Sequence, residues 1–357
     1  MRILPGDLGG QSPTIYLKGD EKMEKKTKTI IGIFAIIAVT LIAIGIVCPY
    51  TSGAKEMVRL RITTPPNPNM IPAFILLEQG KLEDQGIKLE YIPSMGASDL
   101  MAHLQSSDVD IALFSVPGGS KMYHKGIRKI RLIGVHVWKA IYVVAGKDIS
   151  SWENLKGKDI YIAFRGGPPD VITRASMKAA RYKPYEDFNI KYLPGSEIKQ
   201  LILSGKANAA VFPEPHVSLL LLKSKGKLKV AISPQKGFAR NISNWKEGEE
   251  IPVGGLWAIA PNIKEEKREA VKKFIEAFSD ANEYAMEHPE EAGKVTSKNF
   301  KQYFGGKFPS KAVTNSISSG RLQLDFRGVE KLKPLIPSYL KALGFPIPDE
   351  GIYYKLN

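Results

Sequence analysis

Cysteine is all but missing, with a single residue, Cys48, in 357. One thiol makes neither an internal disulfide nor a thiolate metal site, so whatever folds downstream is held by packing alone. Histidine is nearly as scarce, at five, and so few imidazoles argue against a catalytic metal site. No zinc-finger spacing, ribonucleoprotein motif or helix-turn-helix pattern occurs, and basic charge without such a module is not a nucleic-acid signature. No Gly-Lys-Ser/Thr follows the glycines at 166 and 167, which excludes an NTPase phosphate loop. No nucleophile–base pair can be placed.

Apolar residues make up 43% and charged residues 24% of the chain, ordinary values for a folded protein. The length leaves room for about two domains. The net charge is +15, and only six Lys/Arg and four Asp/Glu fall in the first 48 residues, so about +13 belongs to the folded part. Such a surface steers anionic ligands or rests against anionic lipid, or it simply reflects a lysine-rich proteome.

Ile30–Val47 reads IIGIFAIIAVTLIAIGIV, with no charge. Eighteen residues rise about 27 Å as a helix, close to a bilayer core. Lys22, Lys25, Lys26 and Lys28 precede it, which keeps the N-terminus inside and sends the chain after Val47 outside. A retained anchor is the first expectation. A lipid on Cys48 is the second, although Val47 is bulky for a lipoprotein cleavage site, and cleavage around Ser52-Gly53-Ala54 is a further alternative. Residues 1–28 then form a short cytoplasmic segment or a leader, and MEKKTKTIIG from Met23 has the form of a true start.

Beyond a polar tether at 49–57, strand-like and helix-like stretches alternate. Strands are predicted at 58–65, 87–94, 110–119 and across 131–146, and helices at 69–86 (breaking at Gly80 and Gly86) and 97–108. The pattern restarts after Leu155, with strands near 155–164, 188–194, 208–215 and 228–233 and helices at 171–183, 197–207 and 217–226. VGGLWAIAP (253–261) then leads into Lys/Glu-rich amphipathic helices over 263–344. This alternation predicts an α/β fold with largely parallel sheets. Crossings between two lobes are expected near Val144–Lys147 and Ile251–Gly255, giving 58–144 with 255–357 as one lobe and 145–254 as the other. Loops at the carboxyl ends of strands would converge on the cleft between them.

Four segments, LLEQGKLEDQGIKLEYIPS, DVDIALFSVPG, NLKGKDIYIAFRGGPPD and ILSGKANAAVFPEP, resemble in order and spacing the substrate-binding proteins of ABC importers, in the nitrate/sulfonate/taurine (NMT1-like) group. The resemblance covers about residues 58–345. It implies a two-lobed Venus-flytrap fold of the type 2 periplasmic-binding-protein class and delivery of a small solute to ABC permease and ATPase subunits. It further implies an extracytoplasmic site at the cell membrane; a monomer with no cofactor, metal or catalysis is expected alongside it.

Four loops then face the cleft. In TTPPNPNM, Asn67 and Asn69 offer amide donors and acceptors, or serve as turn and cap residues. Ser115 stands at a strand end where the family usually places a small polar residue. In RGGPPD, Gly166 and Gly167 leave backbone N–H groups for an anion, and Arg165 can add a charge-assisted contact. Asp170 either joins that site or caps the helix and opposes an anion. Glu214, in FPEP, falls where the family's cleft glutamate lies and either contacts ligand or braces the interlobe strands. His216 reads as a helix-start residue. Trp138 and Trp257, near the crossings, are either aromatic cleft walls or core residues.

Two other functions compete. An enzyme on this fold, of the thiamine-pyrimidine or menaquinone type, would be cytoplasmic, and the former needs a cysteine-rich motif that is absent. A sensor would need a cytoplasmic partner, because at most 29 residues precede the apolar run. Basic charge and the Arg165 loop favour an oxyanion; the tryptophans, Asp170 and Glu214 favour a flat nitrogenous solute such as a pyrimidine.

Overall fold

The computed structural model describes residues 57–243 and 250–355, all within the unit Met57–Asn357. Met23, the apolar run Ile30–Val47, Cys48 and nearly all of the tether lie outside the described residues. Among the described residues no helix is long and apolar enough to cross a membrane.

The chain begins with β1 (Val58–Thr64), α1 (Met70–Gln79), β2 (Ile87–Pro93), α2 (Ala97–Ser106), β3 (Ile111–Ser115), α3 (Val116–His124) and β4 (Ile130–Lys139). Helix α1 stops where expected, because Gly80 takes the left-handed conformation (φ 64°) that ends a helix cheaply only at glycine. A second series follows: β5 (Ile141–Gly146), β6 (Asp159–Ile162), α4 (Pro168–Ala179), β7 (Asn189–Tyr192), α5 (Gly195–Leu203), β8 (Ala209–Pro213), α6 (His216–Lys223), β9 (Leu228–Ile232) and α7 (Pro234–Ala239). The return comprises β10 (Gly254–Ile259), α8 (Glu265–Glu287), α9 (Pro289–Phe304), α10 (Ser310–Ser318), β11 (Gln323–Gly328), α11 (Val329–Leu332) and α12 (Leu335–Ala342).

Two sheets result, ordered β11-β4-β10-β3-β1-β2 and β7-β6-β8-β5-β9. Each has a parallel trio in which the earliest of the three strands in the chain is central: β2, β1 and β3 in one sheet, β7, β6 and β8 in the other. Beside each trio lies one antiparallel strand that has just arrived from the other sheet, β10 in the first and β5 in the second. The carboxyl ends of the parallel strands therefore collect at one edge of each sheet, which is where ligand loops belong in such folds. A mixed α/β, two-sheet periplasmic-binding-protein architecture is the outcome.

The first crossing falls at Ala140, earlier than the expected Val144–Lys147, because β5 is already paired with β8 from Ile141 onward. Nothing between Trp138 and Ile141 is a turn residue, so the crossing is one residue inside a continuous extended run. Its backbone groups are taken up by the second side: Ala140 N–H and Ile141 N–H donate to Gln235 Oε1 at 3.2 and 3.0 Å, and Glu214 N–H donates to Ala140 O at 2.7 Å. On the return the chain is back on the first sheet by Val253, whose N–H donates to Val137 O and whose O accepts from Val116 N–H.

The sheets are mixed and not largely parallel as expected, since the pairings β3–β10, β10–β4, β4–β11, β8–β5 and β5–β9 are antiparallel. Three elements also depart from the sequence expectation, α7 being a helix where none was expected. Val116–Pro117-Gly118-Gly119 opens α3 instead of ending a strand: Ser115 caps it, Pro sits in the first turn where its missing N–H costs nothing, and a Cβ on Gly119 would stand 2.1 Å from Trp257 Cζ2. The stretch 263–344 is not helical throughout, since β11 adds an edge strand beside β4. Only Leu324 of β11 is buried, so the strand carries little apolar signal of its own.

Candidate functional site

The rim at the first sheet is built by the loops after β1 and β3. Pro65, Pro66 and Pro68 fix φ along the first loop and donate no N–H, and the loop bends and turns over 66–69. Asn67 closes a side-chain turn in which its Oδ1 accepts the Asn69 N–H at 2.9 Å, the Asn69 Nδ2 at 2.7 Å and the Thr64 hydroxyl at 3.4 Å. Ser115 Oγ accepts the Gly118 N–H at 3.1 Å; the hydroxyl proton remains available to a third party. Gly254 pairs with Ser115 across β3–β10, and a Cβ there would stand 2.3 Å from Asn69 Oδ1. Asn67, Asn69, Ser115 and Gly254 therefore form one cluster at the edge from which the chain leaves for the second sheet.

The rim at the second sheet is Phe164–Asp170, between β6 and α4. The expected nest of free N–H groups is not there. Gly167 N–H donates to Phe164 O and Gly166 N–H to Asp170 Oδ2 at 2.7 Å. The Asp170 and Val171 N–H groups both reach Gly167 O, and Pro168 and Pro169 have none. Asp170 is buried and fully engaged: Arg174 donates through Nε and Nη2 at 2.7 and 3.2 Å, and the Tyr192 hydroxyl donates at 2.9 Å. Burial pushes the Asp170 carboxyl up, but Arg174, the Gly166 N–H and Tyr192 together outweigh it and hold the carboxyl below its usual range. Asp170 thus organises its own loop and leaves no uncompensated charge to repel an anion.

The positive charge that remains belongs to two other groups. The Arg165 guanidinium lies over the Tyr192 ring at 5.2 Å. Lys121, on α3 of the first side, brings Nζ within 3.5 Å of where a Cβ on Gly166 would stand, so the two rims approach each other here. Neither cation has a carboxylate partner among the described residues.

Glu214 stands apart from both rims. It is fully buried, and both of its oxygens are used. Ser218 N–H and hydroxyl donate at 2.9 and 3.0 Å, and Arg321 Nε donates at 2.6 Å. Arg321 lies just before β11 of the first sheet, and its own carbonyl accepts the Tyr142 hydroxyl of β5 at 2.9 Å. Burial pushes the Glu214 carboxyl up against the opposing pull of Ser218 and Arg321. The arrangement braces the junction between the sheets, the second of the two roles open to Glu214 from sequence.

Trp138 and Trp257 are both fully buried. The Trp138 indole N–H donates to Asp325 O at 2.7 Å, and Arg327 covers its ring at 4.1 Å. Trp257 stacks on Phe114 with centroids 5.2 Å apart and donates to Phe114 O. Neither indole presents a face to the cleft; both are core. The aromatic surface beside the cleft comes instead from Phe164, which is 61% exposed, and from the half-buried Tyr192. Phe164 also has φ 64°, a conformation costly for a bulky residue and characteristic of functional loops. Sequence reasoning passed over Phe164; its only signal was an aromatic between a strand and two glycines.

His216 is the first residue of α6, as read from sequence. Its ring lies between Phe212 and Phe308, and burial, reinforced by Lys199, takes its pKa down to about 3. No group of three or more His, Cys, Asp or Glu side chains suited to a metal ion occurs among the described residues.

Comparison with known proteins places this geometry. YtlA of Bacillus subtilis (strain 168), described as a candidate binding protein, is 22% identical over 222 residues. That match takes in 61% of this chain and spans 63% of the relative's length. An ABC transporter structure from Parabacteroides distasonis superposes with a TM-score of 0.64 at 22% identity, covering 84% of this chain and 99% of that one. The periplasmic aliphatic sulphonate binding protein SsuA of Escherichia coli gives 0.61 at 16% identity, covering 76% and 86%. These likenesses carry the fold. The family model described as NMT1/THI5 like matches residues 67–292, more than half of the sequence and both rims, and the chain belongs to that family.

Proposed function

We propose that this protein is the extracytoplasmic solute-binding receptor of an ABC importer. It captures a small solute between the two rims and hands it to a permease driven by an ATPase, and it catalyses nothing. The observation that carries this is the pair of rims that approach each other at Lys121 and Gly166, with Lys121 and Arg165 without a carboxylate partner among the described residues and polar groups of Asn67, Asn69 and Ser115 on the first rim. Such a cleft suits a small polar or anionic ligand. Gly166 and Gly167 contribute close backbone approach instead of free N–H groups, and Phe164 contributes an aromatic face. The apolar run Ile30–Val47, or a lipid on Cys48, holds the receptor at the outer face of the membrane. Residues 57–140 with the return from Val253 form one lobe and 141–239 the body of the other.

The test is a thermal-shift and calorimetric screen of the full chain against nitrate, sulfonates, carboxylates and pyrimidines. A bound solute raises the melting temperature by mass action, and it is recovered unchanged. Conversion of the solute into a product sinks the receptor assignment.

A further inference from the structure

The first rim contains a buried acceptor with no donor. Asn67 Oδ1 accepts a backbone N–H, that of Asn69, so this atom is oxygen and not the amide nitrogen. The Asn69 side-chain atom 2.7 Å from it must then be nitrogen, because two amide oxygens would repel at that distance. The orientation of Asn69 is therefore set by the backbone, and its Oδ1 points the other way, toward Gly254. Asn69 is 4% exposed, and Oδ1 has no hydrogen-bond partner among the described residues.

An acceptor in this position is not idle space in the core. Gly254 faces Ser115 on one side and Val137 on the other, three residues before β4 crosses at Ala140. The oxygen thus lies against Gly254, the residue paired with Ser115 at the end of β3, on the edge of the sheet that faces the second rim. Glycine at 254 is what leaves the room around it. A buried acceptor left without a donor costs free energy, and at this edge of the sheet the group placed to supply a hydrogen-bond donor is whatever occupies the cleft.

Resting on the receptor reading above, we infer that Asn69 Oδ1 selects the solute: the ligand carries an N–H or O–H donor in addition to any anionic group, and bare oxyanions are poor ligands. A site built to receive a donor discriminates strongly against an analogue that lacks it, because the acceptor is then left buried and unpaired. Nitrate and unsubstituted alkanesulfonates have no such donor.

The experiment measures Kd on the full chain for three matched pairs: 2-aminoethanesulfonate with ethanesulfonate, 3-aminopropanoate with propanoate, and 4-amino-2-methylpyrimidine with 2-methylpyrimidine. In any pair that binds, the donor-bearing member is expected to bind roughly tenfold or more tighter. The ratio, not the absolute affinity, should fall toward one in Asn69→Ala, so a general weakening of the fold does not imitate the result. Equal affinities in the native chain, or a ratio that Asn69→Ala leaves unchanged, overturn the inference while the receptor reading stands. So does a complex in which Asn69 Oδ1 meets only a water. Failure of all six probes, together with nitrate, overturns the receptor reading and this inference with it.

Discussion

The two rims of the cleft are made of similar residue types and behave in opposite ways. The second rim, Phe164–Asp170, largely satisfies itself: the N–H groups of Gly166, Gly167 and Asp170, the Asp170 carboxylate and Arg174 close on one another. The first rim, around Asn67, Asn69, Ser115 and Gly254, closes incompletely and leaves a hydroxyl proton and a buried carbonyl oxygen over. A self-satisfied loop is a scaffold that sets the position of Phe164 and Arg165. A loop with leftover hydrogen-bonding capacity specifies a ligand. Glu214, buried like Asp170, belongs with the scaffold, since its partner Arg321 comes from the other sheet.

The largest effect that would test this division is at the junction. Arg321→Leu leaves Glu214 buried without its counter-charge and should cost about 3–5 kcal/mol in urea unfolding. Adding Glu214→Gln should recover much of it. If Arg321→Leu instead leaves stability unchanged and weakens solute binding, Glu214 belongs to the ligand and the division fails.

Next comes the scaffold of the second rim. Asp170→Asn loses charge-assisted bonds to Arg174 and Gly166 and should cost about 2 kcal/mol at neutral pH. Because the native carboxyl is held below its ordinary value, this contribution is complete above the unfolded-state pKa near about 4 and is lost as pH falls through the native one. Unfolding curves of the two proteins should therefore stay a constant distance apart from neutral pH downward and converge only in acid.

Gly254→Ala sharpens the other side. The new Cβ meets Asn69 Oδ1 at 2.3 Å and Val137 Cγ2 at 2.8 Å, and overpacking of this kind costs about 1–2 kcal/mol. The change should also weaken binding of any donor-bearing solute in calorimetry. Stability lost with affinity intact would place the leftover oxygen outside the ligand site. The smallest effect is at Phe164→Gly, which relieves a left-handed backbone and should stabilise the fold by up to about 1 kcal/mol. Affinity for a flat solute should fall at the same time, a trade readable by melting temperature against Kd.

Much of the framework was legible along the chain. The restart of alternation after Leu155 corresponds to the second sheet, Gly80 ends α1, and the loops after β1, β3, β6 and β8 all carry groups of interest. The misses share a cause. Val116–Gly119 looked like the end of a strand because Pro-Gly-Gly marks a turn locally, whereas Trp257, 138 residues later in the chain than Gly119, requires the glycine inside a helix. The crossing at Ala140 has no turn residue because Gln235 and Glu214 supply its hydrogen bonds from elsewhere. The tryptophans stayed open between cleft wall and core because burial is not visible from chain position, and the structure puts both in the core.

Period and turn chemistry are properties of neighbours in sequence, so the doubled α/β series, the placement of most loops and the order of strands and helices outside α3, α7 and β11 were determined by the sequence alone. Which polar atoms are left without partners is a property of the closed structure, since each atom's partners come from segments far apart in the chain. Only tertiary structure decided that the glycine loop at 166–167 has no free N–H for an anion, that Asp170 and Glu214 are braces, and that Asn69 keeps one acceptor open.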